Sequence, residues 1–179
     1  LAVAARTDML DQLLDGPLQA AEVARRAGLH ATSTERVLRG CAVVEVTRET
    51  EPGLFELTEL GRGLTKSHPC SLRDAVVMFA DPAHWLSWGR LEHTVRTGEA
   101  AYTAALGVEN VFHYWDAQPA EAERFHRAML SMTSGFIAQL KSAYDFTPYP
   151  TIADIGGGHG MLLGSILRWA PDSKGLLFD

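Results

Sequence analysis

The chain has 179 residues, a net charge of −6, and 46% hydrophobic against 21% charged residues, ordinary for a folded protein of one average or two small domains. The acidic balance argues against a broad nucleic-acid surface, which needs clustered Lys and Arg. Two cysteines, Cys41 and Cys70, make no disulfide framework and point to the cytoplasm, and apolar stretches such as Ala75 to Ala80 are far too short to cross a bilayer. No signal peptide is visible; because the chain opens on Leu1, a few leading residues are expected to precede it.

Met9, Leu10, Leu13 and Leu14 recur at helical spacing, and Gly16-Pro17 stops the helix they predict. A second helix, Ala20 to Ala27, ends at Gly28. A third begins at Thr32-Ser33-Thr34-Glu35, where the spacing of Thr32 and Glu35 fits a capping box. Val43-Val44-Glu45-Val46 and Leu54-Phe55-Glu56-Leu57 read as a hairpin around Pro52-Gly53. Three helices and a hairpin make a winged-helix pattern, used both for DNA binding and for dimerisation. The candidate recognition helix offers only Arg36 and Arg39 beside Glu35, and Arg48 sits on the wing among Glu45, Glu49 and Glu51. Acid on the wing repels phosphate, so dimerisation is the preferred reading.

Asp81-Pro82 is a helix start, an N-cap acid before a proline, and the helix is expected to carry Trp85, Trp88, Leu91 and Val95 along one side as far as Thr97-Gly98. These aromatics, with Tyr102, Phe112, Tyr114 and Trp115, read first as core and second as the lining for a flat, apolar substrate. The longest helix, about Pro119 to Tyr144, places Ala122, Phe125, Met129, Met132, Phe136 and Leu140 on one stripe. Thr147-Pro148-Tyr149-Pro150 then reads as a linker. The scattered histidines show no ligand spacing, HExxH is absent and no metal site is expected; a Gly-x-Ser-x-Gly nucleophile elbow is also missing.

The stretch Thr151-Ile152-Ala153-Asp154-Ile155-Gly156-Gly157-Gly158-His159-Gly160 reads as a strand, a glycine turn and the start of a helix running to about Trp169. No Lys-Ser or Lys-Thr follows the glycines, which removes an ATP-type loop, and the third glycine of a dinucleotide fingerprint is Met161. Asp154 is a poor neighbour for a pyrophosphate but suits a cationic ligand without phosphate, such as S-adenosylmethionine. A second strand, roughly Gly175 to Phe178, delivers Asp179 where an acid accepts ribose hydroxyls.

Asp154-Ile-Gly156-Gly-Gly158-His-Gly160 with Pro171-x3-Gly175-Leu-Leu-Phe-Asp179 resembles the cofactor motif of the caffeic-acid and polyketide type of small-molecule O-methyltransferases. Val95-x-Thr97-Gly98-x3-Tyr102 is similar to that family's V-x-T-G-x-x-x-F/Y segment, and Phe125-x3-Met129-x3-Thr133 to its F-x3-M-x3-S helix, with Thr133 keeping the hydroxyl of the usual Ser. The junction Arg39-Gly40-Cys41-Ala42-Val43-Val44 departs from the family in lacking the Gly that commonly precedes the first wing strand.

The resemblance implies a fold that is mainly α, with a winged-helix-like dimerisation domain over 1–66, a helical linker and substrate-pocket region over 67–147, and the first βαβ unit of a Rossmann-like methyltransferase domain over 148–179. It implies that Asp154, Gly156, Gly158, Gly160 and Asp179 bind S-adenosylmethionine, with Met129 and Thr133 over its methionyl part. Phe125, Met132 and Phe136 would border the acceptor pocket. The implied protein is a homodimer through its N-terminal domain, acting on a small aromatic or polyketide-like hydroxyl, with neither nucleic acid nor membrane as partner. The general base, usually a histidine in this family, is expected beyond Asp179, so the expectation is either a truncated or split product whose remainder is separate, or a chain without methyltransferase activity by itself. C- or N-methylation, a ligand-sensing winged-helix regulator and a non-catalytic dimerisation partner are the alternatives.

Overall fold

The computed structural model describes residues 1–179, apart from the side chain of Ala138. The chain divides into two compact units, Leu1–Ala128 and Met129–Asp179.

The first unit opens with α1 (Ala2–Arg6), and a 3-10 turn follows over Asp11–Leu13. The apolar spacing from Met9 to Leu14 predicts a helix there, and the structure breaks it. Asp8 takes a left-handed φ of 58°, which asparagine and aspartate tolerate better than other side chains. In that position its carboxylate receives Lys66 Nζ at 2.6 Å and Arg73 Nη2 at 3.1 Å. The hydrogen bond from Lys66 holds the Asp8 carboxyl below its ordinary pKa of 3.8.

β1 (Leu18–Gln19) leads into α2 (Ala20–Ala27), which ends at Gly28 as its composition predicts. α3 (Ala31–Val43) is capped by the His30 side chain, which accepts from Ser33 N–H. The expected Thr32–Glu35 capping box is displaced, and Glu35 pairs with Arg39 one turn on at 2.9 Å. A further correction concerns the first wing strand. Val43 closes α3, Glu45 turns the chain with a φ of 59°, and β2 runs over Thr47–Glu51. Glu45 thus occupies a left-handed turn at the junction that lacks a glycine. β3 (Leu54–Leu57) completes an antiparallel sheet in the order β1-β3-β2. The core beneath it holds Leu10, Leu13, Val23, Leu38, Val46 and Phe55, all buried.

α4 (Glu59–Arg62) and α5 (Arg73–Phe79) follow. The single helix expected from Asp81 to Thr97 is two, α6 (Pro82–Trp88) and α7 (Leu91–Thr97), parted at Gly89-Arg90. Asp81 sits at the N-cap position, but its side chain makes no cap. It accepts instead from Arg124 at 2.6 Å and Arg6 at 3.4 Å, with 8% of the side chain exposed. Trp85, Trp88, Leu91 and Val95 are 69, 61, 48 and 78% exposed, so the stripe read first as core faces outward in this chain.

α8 (Ala101–Leu106) and α9 (Val111–Ala117) lead to α10 (Pro119–Ala143), which matches the expected long helix to within a residue. Trp115 is buried and stacks on Phe125 with ring centroids 4.0 Å apart. The unit boundary falls within α10. The second unit continues with β4 (Thr151–Ile155), α11 (Met161–Trp169) and β5 (Lys174–Phe178); the two strands pair in parallel, Asp154 opposite Leu177. Among the described residues no helix is long and apolar enough to cross a membrane.

Two measurements check this packing. Phe55→Ala empties the centre of the winged-helix core and is expected to cost about 3–5 kcal/mol in urea denaturation. The depressed pKa of Asp8 means that its stabilisation is present above pH 3.8 and fades as the pH falls through the folded-state value. The difference in Tm between wild type and Asp8→Asn should therefore be largest near neutrality and shrink below pH 4; a difference constant with pH would contradict the ion-pair account.

Candidate functional site

The site is built where β4 ends. Gly156, Gly158 and Gly160 have φ values of 75°, 54° and 72°, a sequence of left-handed residues that bends the chain from strand to helix. Three backbone bonds hold the bend: Gly156 N–H donates to Phe178 O at 2.7 Å, Gly160 N–H to Gly157 O at 2.9 Å, and Gly164 N–H to Gly160 O at 2.8 Å. The parallel pairing of β4 with β5 brings Asp179 against the turn, where its Oδ2 accepts from Gly158 N–H at 2.5 Å. Residues far apart in sequence thus form one corner at the C-terminal edge of the strands, where open α/β sheets bind their ligands.

Asp154 lies beneath this corner. Its Oδ2 is buried and has no hydrogen-bond partner among the described residues. A carboxylate oxygen in that condition costs free energy unless a donor or cation reaches it. Gly157 shows how little room the turn leaves. A Cβ there would stand 2.5 Å from Asp154 Cγ and Oδ2 and 2.5 Å from Leu177 Cδ1. Leu177 is also the nearest neighbour of a Cβ placed on Gly160, at 3.1 Å. The turn therefore rests on Leu177 and closes over Asp154.

The structure brings Asp154, Gly156, Gly158, Gly160 and Asp179 together, as their spacing predicts. Met129 and Thr133 are half-buried on α10 in the same unit, whereas Met132 and Phe136 are 42 and 53% exposed. α10 meets the start of α11 through a neighbour of Thr133: Ser134 Oγ lies 3.7 Å from Met161 Sδ and also donates to Leu130 O at 2.8 Å. Phe125 falls in the first unit, stacked on Trp115. Sequence reasoning missed Gly157, Leu177 and Ser134 as site residues. Leu177 carried a signal, because strand alternation puts it on the same face as Asp179. The other two are recognisable only by what lies beside them. Among the described residues no group of His, Cys, Asp and Glu is arranged to hold a metal ion.

The family model of an O-methyltransferase domain matches residues 88–179, and that of an O-methyltransferase dimerisation domain matches residues 1–67. Phenazine O-methyltransferase PhzM of Lysobacter antibioticus is 36% identical, over 100% of this chain and 52% of its own length. An 8-amino-8-demethylriboflavin N,N-dimethyltransferase of Streptomyces davaonensis is 32% identical, over 100% of this chain and 52% of its own length. Among solved structures, CalO1, a methyltransferase of calicheamicin biosynthesis in its SAH-bound form, superposes with a TM-score of 0.87 at 32% identity, covering 99% of this chain and 53% of that one. The chain spans about half the length of the curated relatives it matches.

Gly157→Ala is expected to push Asp154 and Leu177 apart and to destabilise the second unit by about 1–3 kcal/mol. Amide exchange at Gly158 and Gly160 should quicken in step; unchanged exchange at both would show that the turn tolerates the methyl.

Proposed function

The chain belongs to the O-methyltransferase family that joins an N-terminal dimerisation domain to a methyltransferase domain, and from that premise we propose that it serves S-adenosylmethionine-dependent methylation of a hydroxyl on a small aromatic or polyketide-like metabolite. The observation that carries this reading is the orphaned Oδ2 of Asp154 under the glycine turn. S-adenosylmethionine presents an ammonium and a sulfonium but no phosphate, so it supplies the positive charge that this oxygen lacks. Bound there, it supplies an electrophilic methyl group on sulfur.

In this reading residues 1–66 serve homodimerisation, 67–147 the linker and acceptor region, and 148–179 the start of the cofactor domain. Asp154 anchors the ammonium. The N–H groups of the first turn of α11 would hold the cofactor's carboxylate. Asp179 already holds the turn through Gly158 with one oxygen and offers its carboxylate to the ribose hydroxyls. Met129 and Thr133 close over the methionyl group, while Phe125, Met132 and Phe136 border the acceptor. These residues bind and orient; the group that takes the acceptor's proton is not assigned to this chain. The cytoplasm is the compartment that fits.

A nitrogen acceptor is the second reading, favoured by the similarity to the riboflavin N,N-dimethyltransferase. Regulation through DNA is disfavoured by ion pairs within the chain: Arg39 of α3 pairs with Glu35 and Glu49, and Arg48 on the wing with Glu56.

The test is calorimetric titration with S-adenosylhomocysteine and S-adenosylmethionine. Asp154→Asn and Asp179→Ala are each expected to weaken binding at least about tenfold, the scale of a hydrogen bond to a charged group. Affinities unchanged in both variants would overturn the assignment of the corner to this cofactor.

A further inference from the structure

Asp154 is not alone in holding a buried carboxylate oxygen without a donor. Glu121, in the first turn of α10, has its Oε2 in the same condition among the described residues. Its other oxygen is held: Tyr114 of α9 donates its phenol O–H to Glu121 Oε1 at 3.1 Å. Burial, and after it the bond to Glu121, push the Tyr114 phenol above its ordinary value of 10, so it stays protonated at neutral pH and keeps donating.

The usual structural partners of a glutamate in this place are engaged elsewhere. A glutamate at the third position of a helix commonly accepts from the N–H of the residue before the helix, but Gln118 N–H donates to Trp115 O at 3.0 Å. Arg124, three residues on, is at pairing distance along a helix, yet its Nε donates to Asp81 at 2.6 Å. Burial pushes the His84 imidazole below its ordinary 6.5, against the pull of Asp81 and Glu121, so it brings no charge to Glu121 at neutral pH. The position of the free oxygen points outward from the fold. Glu121 and Phe125 are four residues apart on α10 and share one side of it, about 6 Å apart along the axis. Glu121 also lines a cleft of about 510 Å³ with Asp81 and Arg124, so its carboxylate borders space that a ligand can enter.

We propose that Glu121 is a specificity-determining residue for the acceptor: its free oxygen accepts a hydrogen bond from an N–H or O–H substituent of the acceptor ring, while Tyr114 fixes the carboxylate. The proposal rests on the reading above, in which Phe125 borders the acceptor. It narrows the acceptor to flat aromatics that carry a second donor besides the hydroxyl that is methylated. A ring without that donor covers the carboxylate and leaves it unpaired, and a buried polar group left unpaired is what lets a site reject an analogue.

Calorimetric titration in excess S-adenosylhomocysteine, with 5-amino-1-naphthol and with 1-naphthol, which lacks the amine, tests this. The wild type is expected to bind the amino compound about tenfold tighter, the scale of a hydrogen bond to a charged group. Glu121→Gln is expected to abolish that preference without weakening 1-naphthol. With Tyr114 on the amide oxygen, the amide NH2 stands where the free oxygen stood, donor against donor. The second measurement is the Tm of the ligand-free protein. E121Q is expected to melt no lower than the wild type, because it removes a buried unpaired charge and keeps the bond to Tyr114. A lower Tm marks the carboxylate as structural and overturns the proposal. So does a preference that survives in E121Q or is absent from the wild type; binding of both naphthols then leaves the acceptor reading standing. Binding of neither overturns that reading, and the proposal with it.

Discussion

One unsatisfied carboxylate oxygen organises the second unit. Among the described residues no donor reaches the buried Asp154 Oδ2, which lies beneath a turn that has no space for a side chain at Gly157. The rest of the unit serves to hold it: β5 delivers Leu177 under the turn and Asp179 onto Gly158. α11 lies close enough to β5 that a Cβ on Gly175 would meet Leu167 Cδ1 at 2.6 Å.

The first unit solves a different problem. Its winged-helix core is apolar and closed, while its long-range links are ionic, converging on Asp8 and on Asp81. Asp81 forgoes capping its own helix to join α1 and α10, because two guanidinium partners stabilise a buried carboxylate better than one exposed backbone N–H. The aromatic residues divide in the same way between inside and outside. Trp115 is packed on Phe125, with His84 among the surrounding rings, where burial pushes its imidazole pKa below the ordinary value against the pull of Asp81 and Glu121. Trp85 and Trp88 face solvent.

What was legible in the chain was local. The strand, glycine turn and helix from Thr151 to Trp169 were readable because an apolar run, positive-φ glycines and a helical apolar stripe each act within a few residues. α2, β3 and α10 were readable for the same reason, and Asp154 and Asp179 stood out as acids at the ends of two apolar strands. The chemistry of the ligand followed from those two charges together with the missing phosphate-loop lysine. The sequence by itself therefore determined the turn, the acids flanking it and the class of ligand they suit.

Only tertiary structure decided the rest. Val43 and Val44 have strand propensity, yet Val43 ends α3 and the ladder begins at Thr47, because that register buries Val46 and Thr47 and lets Thr47 Oγ1 donate to Leu38 O at 2.8 Å. The apolar spacing from Met9 to Leu14 suits a helix, but the ion pairs of Asp8 hold the chain in a left-handed bend. Trp85 and Trp88 have the composition of core and lie on the surface. Apolar periodicity states which residues share a side and is silent about what covers that side. The same limit hid Gly157 and Ser134, whose importance rests on Leu177, Asp154 and Met161, neighbours that only the fold brings near.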